Sequence, residues 1–159
     1  MRSSANQAGS TAGSDRMIAD RKSPAAETPP AQNWALGSRR AALFNYKDKT
    51  SGSQFAWLER GIANILKFDV LEVKTVQMVD RERTDLTFDP AWFRSSGLAA
   101  DIIITGEFEE AADRLIVTTW FLTPSMASIR EFKVEGDRSD IFSLIEKVGS
   151  RLKQELSSL

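Results

Sequence analysis

Four carboxylates lie close together in one polar segment, and they are the first residues of this sequence that could do chemistry. Carboxylate oxygens bind Ca²⁺ or Mg²⁺ in proteins. The segment lacks the calcium-loop pattern D-x-[DN]-x-[DN]-G, however, and two arginines, Arg81 and Arg83, lie between its acids. We therefore favour a solvated, salt-bridged loop with a helix cap, and a metal-dependent enzyme is an alternative. The four acids are Asp80, Glu82, Asp85 and Asp89.

The segment T-S-G-S at residues 50–53 is a candidate for binding a phosphate or another small anion. It precedes a predicted helix, and helix N-termini attract anions. It contains a single glycine and matches neither G-x-x-x-x-G-K-[ST] nor G-x-G-x-x-G. We favour a flexible connection there, and a module that senses an anion or a nucleotide is the alternative function.

The absence of cysteine and histidine removes most of the common catalytic arrangements. The 159 residues contain neither type, so no disulfide, thiolate nucleophile, Cys/His zinc site or Ser-His-Asp triad can form. An enzyme would have to depend on carboxylates, lysine, tyrosine or a metal held by oxygen. We predict that the protein uses no cofactor.

Charge and hydropathy argue against two further classes of partner. Lysine and arginine number 21 against 22 acidic residues, for a net charge of -1, without the basic excess typical of nucleic-acid binding. The apolar runs are far shorter than the roughly 20 residues that a membrane-spanning helix needs. No apolar region of a signal peptide is visible in the first residues either. We predict no nucleic-acid partner and no direct membrane span.

Composition divides the chain into a tail and one domain. Residues 1–37 are rich in Ser, Ala, Gly and Pro and poor in large apolar residues, so they cannot bury enough area to offset the entropy of ordering. We predict a disordered tail over residues 1–37 and a single domain over residues 38–159. The hydrophobic content of 42% is enough for one sizeable core.

Patterns in the first half of the domain predict two strands around a helix. The predicted elements are a strand over 40–46, a loop over 47–53, a helix over 54–67 and a strand over 70–79. The helix has apolar residues at helical spacing, and Ser53 is its expected N-cap. Gly61 inside this helix costs up to about 1 kcal/mol relative to alanine, which indicates a close approach of the helix to the sheet.

Patterns in the second half predict a helix, a three-stranded meander and a last helix. Asp89 as N-cap, Pro90 at the first position and Gly97 as the stop delimit the first of these helices. Ser139 or Asp140 caps the last one. The predicted strands cover 102–109, 115–122 and 127–134. Because the last strand is more polar, we place it at an edge of the sheet, and the order β-α-β-α-β-β-β-α indicates a single α/β domain with a mixed sheet.

Asp101 and Gly106 lie at the start and in the body of an isoleucine-rich strand. No second acid is placed beside Asp101 by any motif, and the chain has no histidine, so this carboxylate lacks a partner for acid–base chemistry. We interpret it as the polar start of a strand. Gly106 indicates a bulge or a close backbone approach. For the tryptophans, Trp57 among them, we favour core packing, and an exposed anchor for a protein partner is the alternative.

Short motifs follow one another along the chain in the order found in one group of domains. The first helix carries aromatic-x-x-Leu-x-x-Gly-Ile, and V-D-R-E-R at 79–83 follows the second strand. Gly-x-x-x-Asp-x-Ile-x-x-Gly-x-Phe spans 97–108, and Asp-Ile-Phe opens the last helix. The motif residues are Phe55, Leu58, Gly61, Ile62, Gly97, Asp101, Ile103, Gly106, Phe108, Asp140, Ile141 and Phe142. Over about residues 39–158 they resemble the TolB N-terminal-like domains, a group related in shape to the curli-secretion protein CsgG.

This resemblance implies an anticodon-binding-like, TolB N-terminal-like domain that binds proteins of a bacterial envelope and has no catalytic activity of its own. The leading hypothesis is a scaffold in a cell-envelope, flagellar or secretion assembly, associated with the outer membrane. Its partners would be envelope proteins or further copies of itself. We expect a periplasmic location, with the cytoplasm as the alternative.

Two segments are the predicted partner surfaces. One is the loop over residues 47–53 together with the exposed part of the first helix, and the other is the last meander strand, through edge addition. The predicted partner-binding residues are Lys47, Asp48, Lys49, Thr50, Ser51, Trp57, Ile129, Glu131 and Lys133. The predicted structural motif residues are Gly61, Asp101, Gly106 and Asp140.

Overall fold

The computed structural model describes residues 38–159, and the tail predicted over 1–37 lies outside the described residues. The strands are β1 Arg39–Leu43, β2 Lys47–Asp48, β3 Val76–Met78, β4 Ile102–Ala111, β5 Arg114–Leu122 and β6 Ser128–Asp137. The helices are α1 Leu58–Leu71, α2 Pro90–Ser96 and α3 Ile141–Ser157, and a 3-10 turn covers Arg81–Arg83. None of the helices in this part of the chain is long and apolar enough to cross a membrane.

All six strands belong to one mixed sheet. The strand order is β3-β1-β4-β5-β6, and β2 pairs beside the second half of β4. β1 runs parallel to β3 and to β4, whereas β4, β5 and β6 form an antiparallel meander. The predicted single α/β domain with a mixed sheet is confirmed, and so is the position of the last strand at an edge.

The larger core lies between one face of the sheet and the helices α1 and α3. Apolar residues of both helices recur every three or four positions, so each helix turns one continuous stripe toward the sheet. The buried residues of these stripes are Leu58, Ile62, Leu66 and Val70 of α1, and Leu144, Val148, Leu152 and Leu156 of α3. They pack on sheet residues such as Phe108 and Phe121, both fully buried. This core carries most of the apolar area that stabilises the domain.

A smaller core lies on the opposite face of the sheet, below α2. Phe44 and Ile103 on the sheet pack with Phe93 of α2. The ring centroids of Phe44 and Trp92 are 6.0 Å apart in an edge-on arrangement. The caps of α2 are as predicted, because the Asp89 carboxylate accepts a hydrogen bond from the Ala91 N–H at 3.0 Å and Gly97 closes the helix at a φ of 72°.

Two predicted boundaries of the first half are wrong. The strand predicted over 70–79 is only Val76–Met78, because Val70 lies four positions after Leu66 and continues the buried stripe of α1. Tertiary packing has overridden the β propensity of valine here. Ser53 does not cap α1, since the helix begins at Leu58 and Trp57 holds the N-cap position without a side-chain hydrogen bond.

The segment after β1 also differs from the prediction. The strand predicted over 40–46 ends at Leu43, and Asn45 makes only an isolated bridge with Thr87. The beginning of the predicted loop is the strand β2, which pairs with Glu107 and Phe108 of β4. The chain thus leaves the sheet after Leu43 and returns to it at β2. The exposed loop begins after β2, at Lys49.

Close contacts explain two glycines. A Cβ at Gly106 would collide with the Thr118 carbonyl oxygen and the ring of Tyr46, which confirms the predicted close approach. The register shift of the meander lies elsewhere, between Phe121 and Leu122. At Gly61 the close neighbour is the Trp57 ring of the same helix, 3.3 Å from where a Cβ would lie. The predicted approach of the helix to the sheet at Gly61 is therefore wrong.

Candidate functional site

The acids of the segment 80–89 have structural partners. The Asp80 carboxylate accepts a hydrogen bond from the Glu82 N–H at 3.1 Å, and Asp89 caps α2. Asp85 accepts hydrogen bonds from Asn45 Nδ2 at 3.0 Å and from Arg60 Nε at 2.9 Å. Among residues 38–159, no group of three or more acids is placed to hold a metal ion. The metal-dependent alternative therefore has no ligand set in the described domain.

Arg81 is the buried centre of this region. It is 8% exposed, although it lies in a polar segment. Its Nη1 donates to the carbonyl oxygens of Leu43 at 3.1 Å and Thr84 at 2.8 Å, and its Nη2 donates to the side-chain oxygens of Asn45 at 2.7 Å and Asn64 at 2.9 Å. One guanidinium thus joins the end of β1, the helix α1 and the 3-10 turn. We call this arrangement the Arg81 cluster.

The Arg81 cluster was not identified from the sequence as a unit. Burial lowers the pKa of Arg81, and the nearby Asp85 carboxylate, 3.8 Å from Nη2, acts in the opposite direction. The Nε atom is buried and has no hydrogen-bond partner among the described residues. The one sequence signal was V-D-R-E-R, which marks the position of this arginine but not its burial. These contacts are structural, and they hold three elements together.

The predicted loop over 47–53 is held by its own Asp48 and by carboxylates of α1 and β4. The Asp48 N–H donates to Glu59 Oε2 at 3.0 Å, and Asp48 Oδ1 accepts a hydrogen bond from the Thr50 N–H at 2.8 Å. Lys49 Nζ lies 3.8 Å from Glu107 Oε1. Ser51 is exposed. The nearby carboxylates and the late start of α1 both disfavour an anion at residues 50–53.

Two large aromatic side chains lie exposed beside one another where α1 and α3 begin. Trp57 is 51% exposed and Phe142 is 67% exposed. Their ring centroids are 6.5 Å apart. The favoured interpretation of Trp57 as a core residue is wrong, whereas its predicted place on the exposed part of the first helix agrees with the structure. The sequence identified Phe142 only as a motif residue, because no local pattern indicates that its ring lies beside the ring of Trp57.

A groove of about 620 Å³ runs between α1 and α3 next to this aromatic pair. We call it the helix groove. Its residues are Ile65, Phe68, Asp69, Asp140, Phe142, Ser143, Ile145, Glu146, Ser150 and Lys153. Three of them carry carboxylates and one carries an ammonium group. Phe68 is 62% exposed, so the groove has aromatic side chains from both helices.

Ion pairs occupy one end of the helix groove. Lys153 Nζ lies 3.0 Å from Glu72 Oε1 and 3.6 Å from Asp69 Oδ1. The hydrogen bond with Glu72 is the main reason why the pKa of Lys153 is raised. Burial raises the pKa of Asp69, and Lys153 opposes this effect. Asp140 caps α3 as predicted, accepting a hydrogen bond from the Ser143 N–H at 3.3 Å.

The predicted residues of β6 form a separate surface. Phe132 belongs to the core below α1 and α3, and neighbouring side chains of a strand point to opposite faces. Glu131 and Lys133 are exposed and therefore lie on the face away from those helices. Ile129 is 37% exposed and is the unpaired residue at the register shift of β6. The structure does not bring them together with Trp57.

Asp101 is buried, and its carboxylate accepts a hydrogen bond from the Arg40 N–H at 2.8 Å, which joins β4 to β1.

Solved structures with the same fold exist. TolB from Acinetobacter baumannii superposes with a TM-score of 0.53 at 12% identity over 77% of this chain and 29% of TolB, so the match spans less than a third of that protein. A neuraminyllactose-binding hemagglutinin homologue from Helicobacter pylori gives 0.51 at 12% identity, over 75% of this chain and 83% of the other. Lipoprotein GNA1162 from Neisseria meningitidis gives 0.48 at 8% identity, over 76% of this chain and 99% of the other.

These comparisons concern the fold alone, because the identities are low. No protein-family model matches the chain, and no curated protein matches it. The similarity to TolB confirms the TolB-like fold that the motifs predicted. A relation to CsgG-type domains is not shown.

Proposed function

We propose that residues 38–159 form a non-enzymatic protein-binding and scaffold domain that works on the periplasmic side of a bacterial cell envelope. The observation that carries this proposal is the exposed pair of Trp57 and Phe142. Aromatic side chains are enriched at the centres of protein interfaces, where they supply much of the binding energy. An exposed aromatic pair next to a groove therefore favours a protein partner.

Two charged groups with shifted pKa values have structural roles. Asp85 and Glu155 have lowered pKa values because of hydrogen bonds, from Asn45 to Asp85 and from Arg151 to Glu155. These contacts stabilise the charged forms and fix the positions of the side chains. Catalytic acids and bases usually have pKa values moved toward the working pH and lie in a cleft, and these two carboxylates do neither.

The envelope part of the proposal rests on the TolB-like fold and on the sequence resemblance to TolB N-terminal-like domains. The comparisons do not support a role in a flagellar or secretion assembly, and the proposed function does not include one. We include the loop residues Lys47, Lys49 and Ser51 in the proposed surface. The loop is joined to the start of α1, because the Asp48 N–H donates a hydrogen bond to Glu59, two positions after Trp57.

The edge strand β6 is a weaker candidate surface. It is a free edge of ten residues, which fits the predicted strand addition. Its exposed side chains are mostly charged, however, and charged side chains on an edge strand oppose pairing with another strand. We therefore place the main docking surface at Trp57 and Phe142, and keep Ile129, Glu131 and Lys133 as a second surface to be tested.

Site-specific photo-crosslinking in cells tests the proposal. A photoreactive phenylalanine analogue is placed in the full chain at Trp57, Phe142 or Glu131, with the exposed Arg83 as the control position. We expect discrete adducts with periplasmic proteins from positions 57 and 142, and none from position 83. Adducts from position 131 would add β6 to the docking surface. If positions 57 and 142 give no more adducts than position 83, the proposal is wrong.

A further inference from the structure

We propose that the helix groove receives a basic amphipathic helix of the partner protein. This inference rests on the proposed function and states the chemical class of the segment that docks. The groove lies between two helices and combines exposed aromatic rings with an excess of carboxylates. These two properties match the two faces of a basic amphipathic helix.

The apolar part of the argument comes from side chains on both walls of the groove. Phe68 of α1 and Phe142 of α3 are both more than half exposed. Ile65 and Ile145 lie below them, and both pack with the larger core. A helix that docks in such a groove presents apolar anchors at positions i, i+3 or i+4, and i+7. The volume of about 620 Å³ has room for several such side chains.

The charge part of the argument is that the one ammonium group of the groove is already paired. Lys153 is shared between Asp69 and Glu72. Glu146 makes no ion pair with the described residues, and Asp140 uses one oxygen to cap α3. A second ammonium group lies beside the groove, because Lys67 Nζ is 5.4 Å from the centroid of the Phe68 ring. With Glu72 counted, four carboxylates stand against two ammonium groups, so the open side of the groove keeps an acidic excess. Charge complementarity selects a segment with lysine or arginine beside its apolar face.

A second copy of the chain fits the groove less well. Two-fold symmetric pairing brings the same surface of both subunits together. Groove against groove would place Glu146 and Asp140 of one copy near the same acids of the other. Like charges held close together across an interface oppose association. We therefore infer a different, basic partner rather than a dimer of this chain.

Two matched peptides test the inference with the full chain. Each has about 18 residues, long enough to form a helix, with leucine at the anchor positions. One carries lysine at the flanking positions and the other glutamate. We measure binding by fluorescence anisotropy of the labelled peptides. We expect the lysine peptide to bind at least about tenfold more tightly, and to lose affinity between about 50 and 300 mM salt, because salt screens exposed charges.

Variants with matched controls locate the binding site. Glu146→Lys reverses a charge in the groove, and Glu82→Lys makes the same change at the exposed 3-10 turn. Phe142→Ala removes a groove aromatic, and Pro124→Ala removes an exposed apolar ring in the turn between β5 and β6. We expect each groove variant to weaken binding of the lysine peptide about five- to tenfold, and each control variant less than about twofold.

Several results would overturn the inference. These are equal binding of both peptides, a groove variant that binds as its control variant does, and a protein dimer that Glu146→Lys disrupts in sedimentation. The photo-crosslinks separate this failure from that of the proposed function. If position 142 still captures a periplasmic protein while neither peptide binds, the basic helix is wrong and the docking function stands. If position 142 captures nothing, the docking function itself is wrong.

Discussion

The Arg81 cluster and the helix groove both depart from the usual distribution of side chains, in which charged groups are exposed and large apolar groups are buried. In the cluster a charged guanidinium is buried, whereas Phe68 and Phe142 in the groove, and Trp57 beside it, are exposed. The buried arginine has five oxygen acceptors among the described residues. The exposed rings gain little from the fold. Polar burial here stabilises the domain, and apolar exposure leaves a surface for a partner.

The two regions differ because burial removes water from a charged group and from an aromatic ring with opposite effects on the free energy. Burying a charge is unfavourable unless hydrogen bonds replace the lost water. Arg81 meets this condition at Nη1 and Nη2 but not at the buried Nε, and it satisfies the Leu43 and Thr84 carbonyl oxygens. An exposed aromatic ring keeps its unfavourable contact with water until a partner covers it. We therefore expect mutations in the Arg81 cluster to lower the free energy of unfolding, and mutations at the helix groove to weaken binding of a partner.

The largest expected effect is that of Arg81→Met. The change leaves carbonyl and amide oxygens of β1, α1 and the 3-10 turn without donors, so we expect a loss of about 3 kcal/mol in the free energy of unfolding. Arg83→Met changes an exposed arginine of the same turn and should cost less than about 0.5 kcal/mol. Urea unfolding followed by tryptophan fluorescence measures both. Equal stability of the two variants would contradict the structural role of the cluster.

A smaller effect is expected for Asn45→Ala. Asn45 accepts a hydrogen bond from Arg81 and donates one to Asp85, so both contacts are lost together. We expect a loss of about 1–2 kcal/mol. Gln77→Ala, at an exposed position of β3, is the control and should be close to neutral. A double variant with Arg81→Met should lose less than the sum of the two single changes, because they share a contact.

The two regions should differ in the sign of their pH dependence. Hydrogen bonds, above all from Asn45, lower the pKa of Asp85, whereas burial raises the pKa of Asp69. As the pH falls from the ordinary value near 3.9 to the lower pKa of Asp85 in the folded protein, the stabilising contribution of Asp85 is lost. Asp69 has its folded pKa above that value, so its contribution to stability increases as the pH falls from this raised pKa to the ordinary value.

Asp85→Asn and Asp69→Asn separate these contributions. We expect Asp85→Asn to reduce the loss of stability between about pH 5 and pH 3, and Asp69→Asn to increase it. Urea midpoints measured at intervals across this range give the two slopes. Slopes changed in the same direction would show that the two carboxylates do not differ as the structure indicates.

The smallest expected change in stability is that of Phe142→Ala. Its ring is mostly exposed, so the free energy of unfolding should change by less than about 0.5 kcal/mol. The same variant should lose the periplasmic crosslinks recorded from a photoreactive group at Trp57. A loss of stability comparable to that of Arg81→Met would mean that Phe142 belongs to the core, and the comparison of the two regions would fail.

Local patterns were sufficient for some elements and not for others. The caps at Asp89 and Asp140 and the stop at Gly97 were predicted because they depend on neighbours within a few residues. The meander was predicted because its strands alternate and its turns are short. The end of α1 was missed because Val70 has a strand-like side chain but lies on a buried helical stripe. The start of α1 was missed because Ser53 fits a cap by type alone.

The amino-acid sequence by itself determined the α/β class, the second half of the fold, the TolB-like order of motifs and the close approach at Gly106. These features depend on local spacing and on residue type. Only the tertiary structure decided that Arg81 is buried, that Trp57 is exposed, and that Trp57 and Phe142 lie side by side. Exposure and contact between distant residues depend on how α1 and α3 pack on the sheet, and that packing is set by the whole core rather than by any one segment.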